Sequence, residues 1–262
     1  MPDPTYKLGK LPKRDDDRTL RLATYLTPAA PTPPPAVDYG AAVLDWGMLG
    51  NDRVGDCALA GQAHADMLWA ANTEHVQLPI TTAMVLRAYS AVSGYDPGAD
   101  GPGGNPTDRG TVLLDALTYW RKRGIDRQTI RAFVEVDTHS VEHAKLAIDL
   151  FGCLYVGVAL PDSVLPSSPT DLPAWTVTPD GRPENEPNQH NGHCVVYAAY
   201  DAAGPTVVTW GTTVKASWAF HTSYCDELYA MLSPAWLRHD PPGIDVATLT
   251  SDLELVEKGR NR

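Results

Sequence analysis

The sequence predicts an α+β protein whose helices come first and whose antiparallel strands follow. Small and apolar residues recur at helical spacing in several segments between residues 56 and 152, and capping residues and glycines mark the helix ends. After residue 152 the pattern changes to short β-branched and aromatic runs. This order favours two structural halves, one helical and one built on a β-sheet.

The helical half, residues 37–150, contains four predicted helices. The first follows a predicted N-cap at Asp56, and its apolar residues recur at helical spacing behind Cys57. The last begins after Ser140 and ends at Gly152. The four predicted helices cover residues 56–72, 80–92, 111–124 and 140–152.

The β half, residues 151–240, contains four predicted strands. The strongest is "HCVVYAAYD", which His193 opens after a long polar loop. The predicted strands cover residues 153–160, 193–201, 205–211 and 216–221. Residues 241–262 are expected to form a C-terminal tail.

Residues 1–36 are expected to form an extended N-terminal arm. This segment mixes charges of both signs and ends in the proline-rich stretch "TPAAPTPPPAV". Leucines alternate at Leu20, Leu22 and Leu26, a pattern that would let the arm dock on a protein partner. A plain disordered tail is the alternative that this composition leaves open.

Composition excludes several classes of function. The chain has 262 residues and a formal net charge of -11, which argues against binding to nucleic acid. Apolar runs fall short of the roughly 18 residues of a membrane span. The N-terminus lacks the apolar core of a signal peptide, so a cytoplasmic location is predicted. Four scattered cysteines are expected to be free thiols.

One of these cysteines stands at the first turn of a predicted helix, in "GNDRVGDCALAGQAHADMLWAA". The positive end of a helix dipole stabilises a thiolate, so Cys57 is a candidate nucleophile. A small buried side chain without a chemical role is the alternative that this helix alone leaves open. The neighbouring Asp56 would raise the pKa of the thiol unless its carboxylate caps the helix.

A nucleophilic cysteine needs a base, and His193 is the candidate. This histidine follows Gly192 and is expected at the exposed start of a core strand, reachable from a cleft. A strand-end histidine without a role is again the alternative. His64 lies on the same helix as Cys57 but two turns away, which is too far for proton transfer.

Two histidine pairs have spacings that occur in metal sites. They are His139 with His143, in "HSVEH", and His190 with His193, in "QHNGH". Neither pair has a third residue at ligand spacing. No metal and no cofactor is therefore predicted.

Four segments in this order together resemble the papain-like cysteine peptidases over residues 37–219. They are "VDYGAAVLDWGMLGNDRVGDCALAGQAHA", "DRGTVLLDALTYWRKRGI", "VEHAKLAIDLFGCLYVGVALP" and "GHCVVYAAYD…VVTWGT". The resemblance implies a papain-like domain over residues 37–262, with an active-site cleft between a helical half and an antiparallel β half. In that family the nucleophilic cysteine opens a long helix, and the catalytic histidine opens a strand roughly 130 residues later.

The resemblance assigns roles to individual residues. Cys57 would be the nucleophile and His193 the general base. Asn51 would donate to the oxyanion, together with the Cys57 backbone N–H, at a position where the family has a glutamine. Thr209 stands where the family has the asparagine that orients the histidine, and Trp210 and Gly192 would contact substrate.

Other family features are absent from this sequence. The family's secretory signal, framework disulfides and long helical pro-segment have no counterpart. The 36-residue arm is expected to be too short to act as that inhibitory pro-segment. The form "GND-x-x-GDC" together with the arm also resembles papain-like proteins encoded by bacteriophages of actinobacteria, which implies a virion or lysis setting.

The resemblance implies a thiol hydrolase, a peptidase or amidase that acts on a peptide or protein through an acyl-enzyme. A catalytically degenerate papain-like protein with a structural role in a phage particle is the alternative from another class. Val208 and Thr209 in place of the expected asparagine, and an arm suited to docking, favour that alternative. An acyltransferase that uses the same Cys-His pair is a third hypothesis.

Overall fold

A computed structural model describes residues 6–166, 172–236 and 242–259. Within these ranges seven strands form one antiparallel sheet, in the spatial order β2-β7-β3-β4-β5-β6, and β1 pairs with β4 outside this path. The strands are β1 (Val37–Asp38), β2 (Ala132–Glu135), β3 (Leu154–Ala159), β4 (Gly192–Tyr200), β5 (Pro205–Thr209), β6 (Thr212–Lys215) and β7 (Cys225–Leu232).

All four predicted helices are present, as α2 to α5, which confirms this part of the sequence analysis. Side-chain oxygens cap two of them as expected, because Thr81 accepts from Met84 N and Ser140 accepts from His143 N. The α-helices are α1 (Leu22–Tyr25), α2 (Cys57–Thr73), α3 (Thr82–Ser93), α4 (Leu113–Lys122), α5 (Val141–Phe151), α6 (Trp218–Tyr224) and α7 (Val246–Gly259).

Helices cover both faces of the sheet. On one face α2, α3 and α4 pack against inward side chains such as Tyr155, Cys194 and Val196. On the other face α5 and α6 pack against the alternate side chains, such as Val156 and Tyr197. A sheet buried on both faces explains why β3 and β4 are continuous apolar runs rather than alternating ones. The predicted α+β class with an antiparallel sheet is confirmed.

The strand predicted at residues 216–221 is wrong. Residues 212–215 form β6, and the chain then turns into α6, whose first turn is capped by Ser217 accepting from Phe220 N. Aromatic residues such as Trp218 and Phe220 favour strands, but here the serine cap and burial against the sheet decide the local structure. Strands β1, β2 and β7 were not predicted from the sequence.

Two segments pack differently from the division predicted by sequence. Helix α5 lies within the range assigned to the helical half, but its buried residues join the core on the opposite face of the sheet. The segment expected to be a C-terminal tail contains α7. In this helix Leu249 and Leu253 are buried, and Tyr25 Oη of α1 donates to Asp252 Oδ2 over 2.9 Å.

The described part of the N-terminal arm, residues 6–36, lies against the rest of the chain. Lys10 forms a bridge with Thr111, Arg21 with Glu135, and Leu26 with Ile244. Among the described residues, no helix combines the length and the apolar character that a membrane span requires.

Candidate active site

Cys57 is the first residue of α2, and this end of the helix is fixed against the sheet. One turn later, a Cβ on Gly61 would lie 3.2 Å from the Tyr155 ring and 3.4 Å from Cys194 Sγ. Tyr155 Oη donates to the Ala58 carbonyl over 2.7 Å. A glycine therefore lets the helix approach β3 and β4 closely, and a buried hydroxyl holds its first turn in place.

Burial dominates the electrostatics of the Cys57 thiol. The residue is 1% exposed, and this burial raises the pKa of Cys57 to about 12. The backbone N–H groups of Cys194 and Gly9 act in the opposite direction, since hydrogen bonding to sulfur lowers the pKa. In this arrangement Cys57 is a neutral thiol near pH 7, despite its place at a helix N-terminus.

Asp56 occupies the N-cap position but does not cap the helix with its side chain. The residue is fully buried, and this burial raises the pKa of Asp56 well above its ordinary value. A carboxyl group with a raised pKa carries its negative charge only at higher pH. Asp56 therefore opposes a thiolate on Cys57 less than an ionised neighbour would.

His193, the second residue of β4, is held by Thr209, as the family resemblance implied, and by Trp210, which was expected to contact substrate. Its Nε2 lies 2.7 Å from Thr209 Oγ1, and its ring stacks on Trp210 with centroids 4.4 Å apart and an interplanar angle of 17°. Among the described residues, Nδ1 has no hydrogen-bond partner and is buried. These contacts fix the plane of the ring and leave Nδ1 for another reaction partner.

The expectation that His193 lies exposed at the strand start is wrong. The residue is 1% exposed, and this burial lowers the pKa of His193 to about 3. The imidazole is therefore neutral near pH 7. Burial therefore favours the neutral forms of both the Cys57 thiol and the His193 imidazole over a thiolate–imidazolium pair.

Asn51 is buried close to the start of α2. Its Nδ2 donates to the Val54 carbonyl over 3.2 Å, and its side chain lowers the pKa of the adjacent Asp56 carboxyl against the larger effect of burial. The Asn51 carbonyl accepts from Lys7 N over 2.9 Å. The amide predicted to donate to an oxyanion thus already has other contacts.

The N-terminal arm runs between the two sides of this site. Lys10 N donates to the Gly192 carbonyl over 3.1 Å on the β side. On the helical side Thr111 N donates to the Gly9 carbonyl over 2.8 Å, and Leu11 N donates to the Thr111 carbonyl over 3.0 Å. The arm therefore binds as an extended peptide through its backbone, which the sequence analysis did not anticipate.

The fit around the arm is tight. A Cβ on Gly9 would lie 1.9 Å from the Gly55 carbonyl oxygen, and a Cβ on Gly192 would lie 2.2 Å from the Lys10 carbonyl oxygen. Trp210 Nε1 donates to the Lys7 carbonyl over 3.1 Å. Two of the residues predicted to contact substrate, Gly192 and Trp210, thus contact the chain's own arm.

The structure brings the predicted residues to one junction from two directions. Asn51 and Cys57 approach on the helical side, and His193, Thr209, Trp210 and Gly192 approach on the β side. Cys57 meets the β side at the backbone of Cys194, the residue that follows His193. Lys10 and its two acidic partners, Asp226 and Glu227, were missed, because they are more than 200 residues apart.

The histidine pairs considered as metal sites do not gain further ligands. Among the described residues, no three histidine, cysteine or acidic side chains are grouped so that they could hold a metal ion. All four cysteines are buried free thiols in the structure.

Comparison with solved structures identifies the fold. Xylellain, a cysteine protease from Xylella fastidiosa, matches with a TM-score of 0.64 and 14% identity, over 89% of this chain and 98% of that chain. The chain has the papain-like fold. Digestive procathepsin L 3 of Tenebrio molitor larval midgut also matches, with a TM-score of 0.56 and 11% identity, over 87% and 76% of the two chains.

A third matching structure combines a cysteine protease domain with a lectin-like domain. The cysteine protease and lectin-like domains of Cwp84, a surface layer associated protein of Clostridium difficile, match with a TM-score of 0.56 and 11% identity, over 87% of this chain and 56% of that chain. At these identities the likeness establishes the fold. No family model and no curated protein matches the sequence.

Proposed function

We propose that the protein is a thiol hydrolase, a peptidase or amidase, that cleaves peptide substrates through Cys57. The observation that carries this proposal is the extended peptide in the cleft. Residues 7–11 of the chain lie beside Cys57 with backbone hydrogen bonds to both sides. A cleft that binds peptide backbone next to a cysteine and a positioned histidine is suited to acyl transfer.

In the proposed mechanism, His193 removes the thiol proton of Cys57, and the sulfur attacks the carbonyl carbon of the scissile amide. The backbone N–H of Cys57 donates to the oxyanion of the tetrahedral intermediate, and the side chain of Asn51 donates to it after leaving its contacts with Val54 and Asp56. The intermediate collapses to a thioester as His193 gives its proton to the leaving amine. Water, deprotonated by His193, then hydrolyses the thioester and restores the thiol.

This reaction requires the arm to leave the cleft. Burial in the present arrangement favours the neutral thiol and the neutral imidazole, because it raises the pKa of Cys57 and lowers that of His193. Displacing the arm would open the site to substrate and to solvent. The structure therefore corresponds to a closed form of the proposed enzyme.

The test compares two cysteines. Cys57→Ala is expected to abolish hydrolysis of an unfolded protein such as casein, because it removes the nucleophile. Cys153→Ala is the matched control, since Cys153 is an equally buried thiol that lies near Asp66, well along α2 from Cys57. Hydrolysis that survives in Cys57→Ala would rule out the proposed role.

A second measurement tests the base. Cys57 should be alkylated by iodoacetamide across pH 4 to 9 faster in the wild-type protein than in His193→Ala, because the imidazole assists loss of the thiol proton. Equal rates in the two proteins would show that His193 does not activate Cys57.

A catalytically degenerate papain-like protein with a structural role, such as one in a bacteriophage particle, is the second candidate. Two observations favour it, namely the complete burial of Cys57 and Thr209 at the position of the family's asparagine. This candidate predicts slow alkylation of Cys57 and no hydrolysis even in variants that loosen the arm. Cleavage by any such variant would exclude it.

A further inference from the structure

A buried lysine of the arm lies in an acidic pocket beside the candidate site. Lys10 Nζ is 2.8 Å from Asp226 Oδ2 and 3.2 Å from Glu227 Oε1. The side chains of Lys10 and Glu227 have no exposed surface, and that of Asp226 is 21% exposed. A lysine is almost never fully buried unless it is paired, so this pair of acidic residues accounts for its position.

The walls of the pocket fit a long, unbranched cation. A Cβ on Gly157 would lie 2.4 Å from Lys10 Cε and 2.4 Å from Glu227 Cγ, so glycine at this position leaves the space that the lysine stem fills. Tyr229 Oη donates to Glu227 Oε2 over 3.0 Å and orients the carboxyl group. Glu227 Oε1 makes no hydrogen bond among the described residues and lies toward the ammonium group.

The pocket is part of the peptide-binding cleft. The backbone of Lys10 is bound at Gly192, the residue before His193, and its neighbour Gly9 lies beside the Cys57 sulfur. A side chain in this pocket therefore belongs to a peptide that passes directly over the candidate nucleophile. The pocket lies where a substrate would place one of its side chains.

We propose that Asp226 and Glu227 form a specificity pocket for a lysine or arginine side chain of the peptide substrate, and that Lys10 occupies this pocket in the closed form. The inference rests on the proposed function, because it names the substrate class of the same site. A peptide with a basic residue at this position displaces the arm by replacing Lys10.

Electrostatics favour a cation over a neutral side chain of the same length. Burial alone would lower the pKa of Lys10, but Glu227 and Asp226 raise it above its ordinary value, so the ammonium stays charged. A neutral occupant would leave the buried Glu227 and the partly buried Asp226 without a positive partner, which is unfavourable.

Acidic residues continue along the path of the arm. Lys13 Nζ lies 2.5 Å from Glu135 Oε1, and Arg14 forms two hydrogen bonds to Asp115 over 2.6 and 3.0 Å. These pairs are partly exposed, so water and salt weaken them. The Lys10 pocket is therefore expected to contribute most of the selectivity for basic residues.

The test uses a fluorescent peptide with the sequence of residues 6–14, YKLGKLPKR, and the full chain carrying Cys57→Ala and Lys10→Ala. The first substitution prevents cleavage, and the second removes the occupant of the pocket. The peptide is expected to bind at least about tenfold more tightly than the same peptide with norleucine in place of Lys10. Fluorescence anisotropy measures both dissociation constants.

Two controls define the site. Norleucine in place of Lys7 should leave binding unchanged, because that lysine is exposed in the arm. Adding Asp226→Asn and Glu227→Gln to the host should remove the preference for lysine, while the Lys10-norleucine peptide binds both hosts equally, which shows that the cleft is intact. Equal affinities for the lysine and norleucine peptides, or no binding of the lysine peptide, would overturn the proposal.

Hydrolysis separates this inference from the proposed function. With Cys57 restored, peptides with lysine or arginine at the pocket position should be cleaved faster than peptides with norleucine or glutamate. Cleavage without this preference would overturn the pocket and leave the hydrolase. Selective binding without cleavage of any peptide would leave the pocket and overturn the hydrolase.

Discussion

At the scale of single residues, the hydroxyl of Thr209 is the group that holds the candidate base. It lies 2.7 Å from His193 Nε2 in a buried environment, where few other partners can replace it. A hydroxyl both donates and accepts, so it can pair with Nε2 in either protonation state of the ring. Thr209 can therefore orient the imidazole during proton transfer, as a positioning residue.

Thr209→Val is expected to lower kcat/KM by about tenfold to a hundredfold, because it leaves a buried ring nitrogen unpaired in a side chain of similar shape. Thr209→Ser should restore most of the activity. The measurement is kcat/KM as a function of pH. A change in the environment of His193 is expected to move the pH at which kcat/KM changes, as well as to lower its maximum. An unchanged profile in Thr209→Val would show that the hydroxyl does not position the base.

The sequence could indicate candidate site residues, but it could not indicate their surroundings. Cys57 and His193 could be proposed because helix and strand patterns place them at element ends, and Thr209 could be proposed because the family resemblance assigns a role to its position. The burial of both Cys57 and His193 could not be predicted. It depends on a segment near the N-terminus that packs against both, and no local pattern reports such a distant contact.

At the scale of elements, the arm packs against the start of α2 beside the Cys57 sulfur. Its contact with the start of α2 depends on the absence of a side chain at Gly9, where a Cβ would lie 1.9 Å from the Gly55 carbonyl oxygen. The added Cβ would be attached to the arm backbone and would clash with the Gly55 backbone. Rotating a side chain therefore cannot relieve the clash. Any larger residue at this position must move the arm.

Gly9→Ala is therefore expected to speed alkylation of Cys57 by iodoacetamide at pH 7.5. The displaced arm exposes the thiol, and each unit by which the pKa of Cys57 falls from about 12 raises the thiolate fraction about tenfold. Mass spectrometry of the labelled peptide measures the rate at this residue alone.

Gly103→Ala is the matched control for that substitution. A Cβ on Gly103 would meet nothing within 4 Å, so the added methyl group is accommodated without displacement. Its labelling rate should equal that of the wild-type protein. A rate in Gly9→Ala no faster than this control would show that the arm does not protect the thiol.

Elements with a strong local signal were predicted, and elements fixed by tertiary packing were not. Helices α3 to α5 have caps or glycine ends that can be read from the sequence, and α2 has a long run of small and apolar residues at helical spacing. Strand β7 was missed because "CDELYAML" has acidic residues at its second and third positions, which are unfavourable in strands. In the fold, one of these residues, Glu227, pairs with a lysine from the other end of the chain.

At the scale of the whole molecule, the sheet is buried on both faces, and its core contains titratable groups. His221 of α6 is fully buried between Tyr197 and Trp218, and among the described residues neither ring nitrogen has a hydrogen-bond partner. Burial, assisted by His139, lowers the pKa of His221 to about 4, and Asp137 opposes this change. The folded state therefore requires a neutral imidazole at this position.

This requirement makes the free energy of unfolding depend on pH. The pKa of His221 is lower in the folded state than in the unfolded state, so its contribution is complete above about pH 6.5 and is lost as the pH falls to about 4. The loss amounts to up to about 3 kcal/mol, since each unit of pKa difference corresponds to about 1.4 kcal/mol. Buried carboxyl groups with raised pKa values, such as Asp56 and Asp66, act in the opposite direction over part of this range.

His221→Phe isolates the contribution of the histidine from that of the carboxyl groups. Phenylalanine keeps a ring between Tyr197 and Trp218 but has no nitrogen to protonate. Relative to the wild-type protein, the variant should therefore gain stability as the pH falls from 6.5 to 4. Urea unfolding at several pH values measures this difference.

The exposed ring of His190 provides the control, because His190→Phe should leave the difference constant with pH. If the free energy of unfolding changes with pH in the same way for His221→Phe and His190→Phe, protonation of His221 does not limit stability in acid.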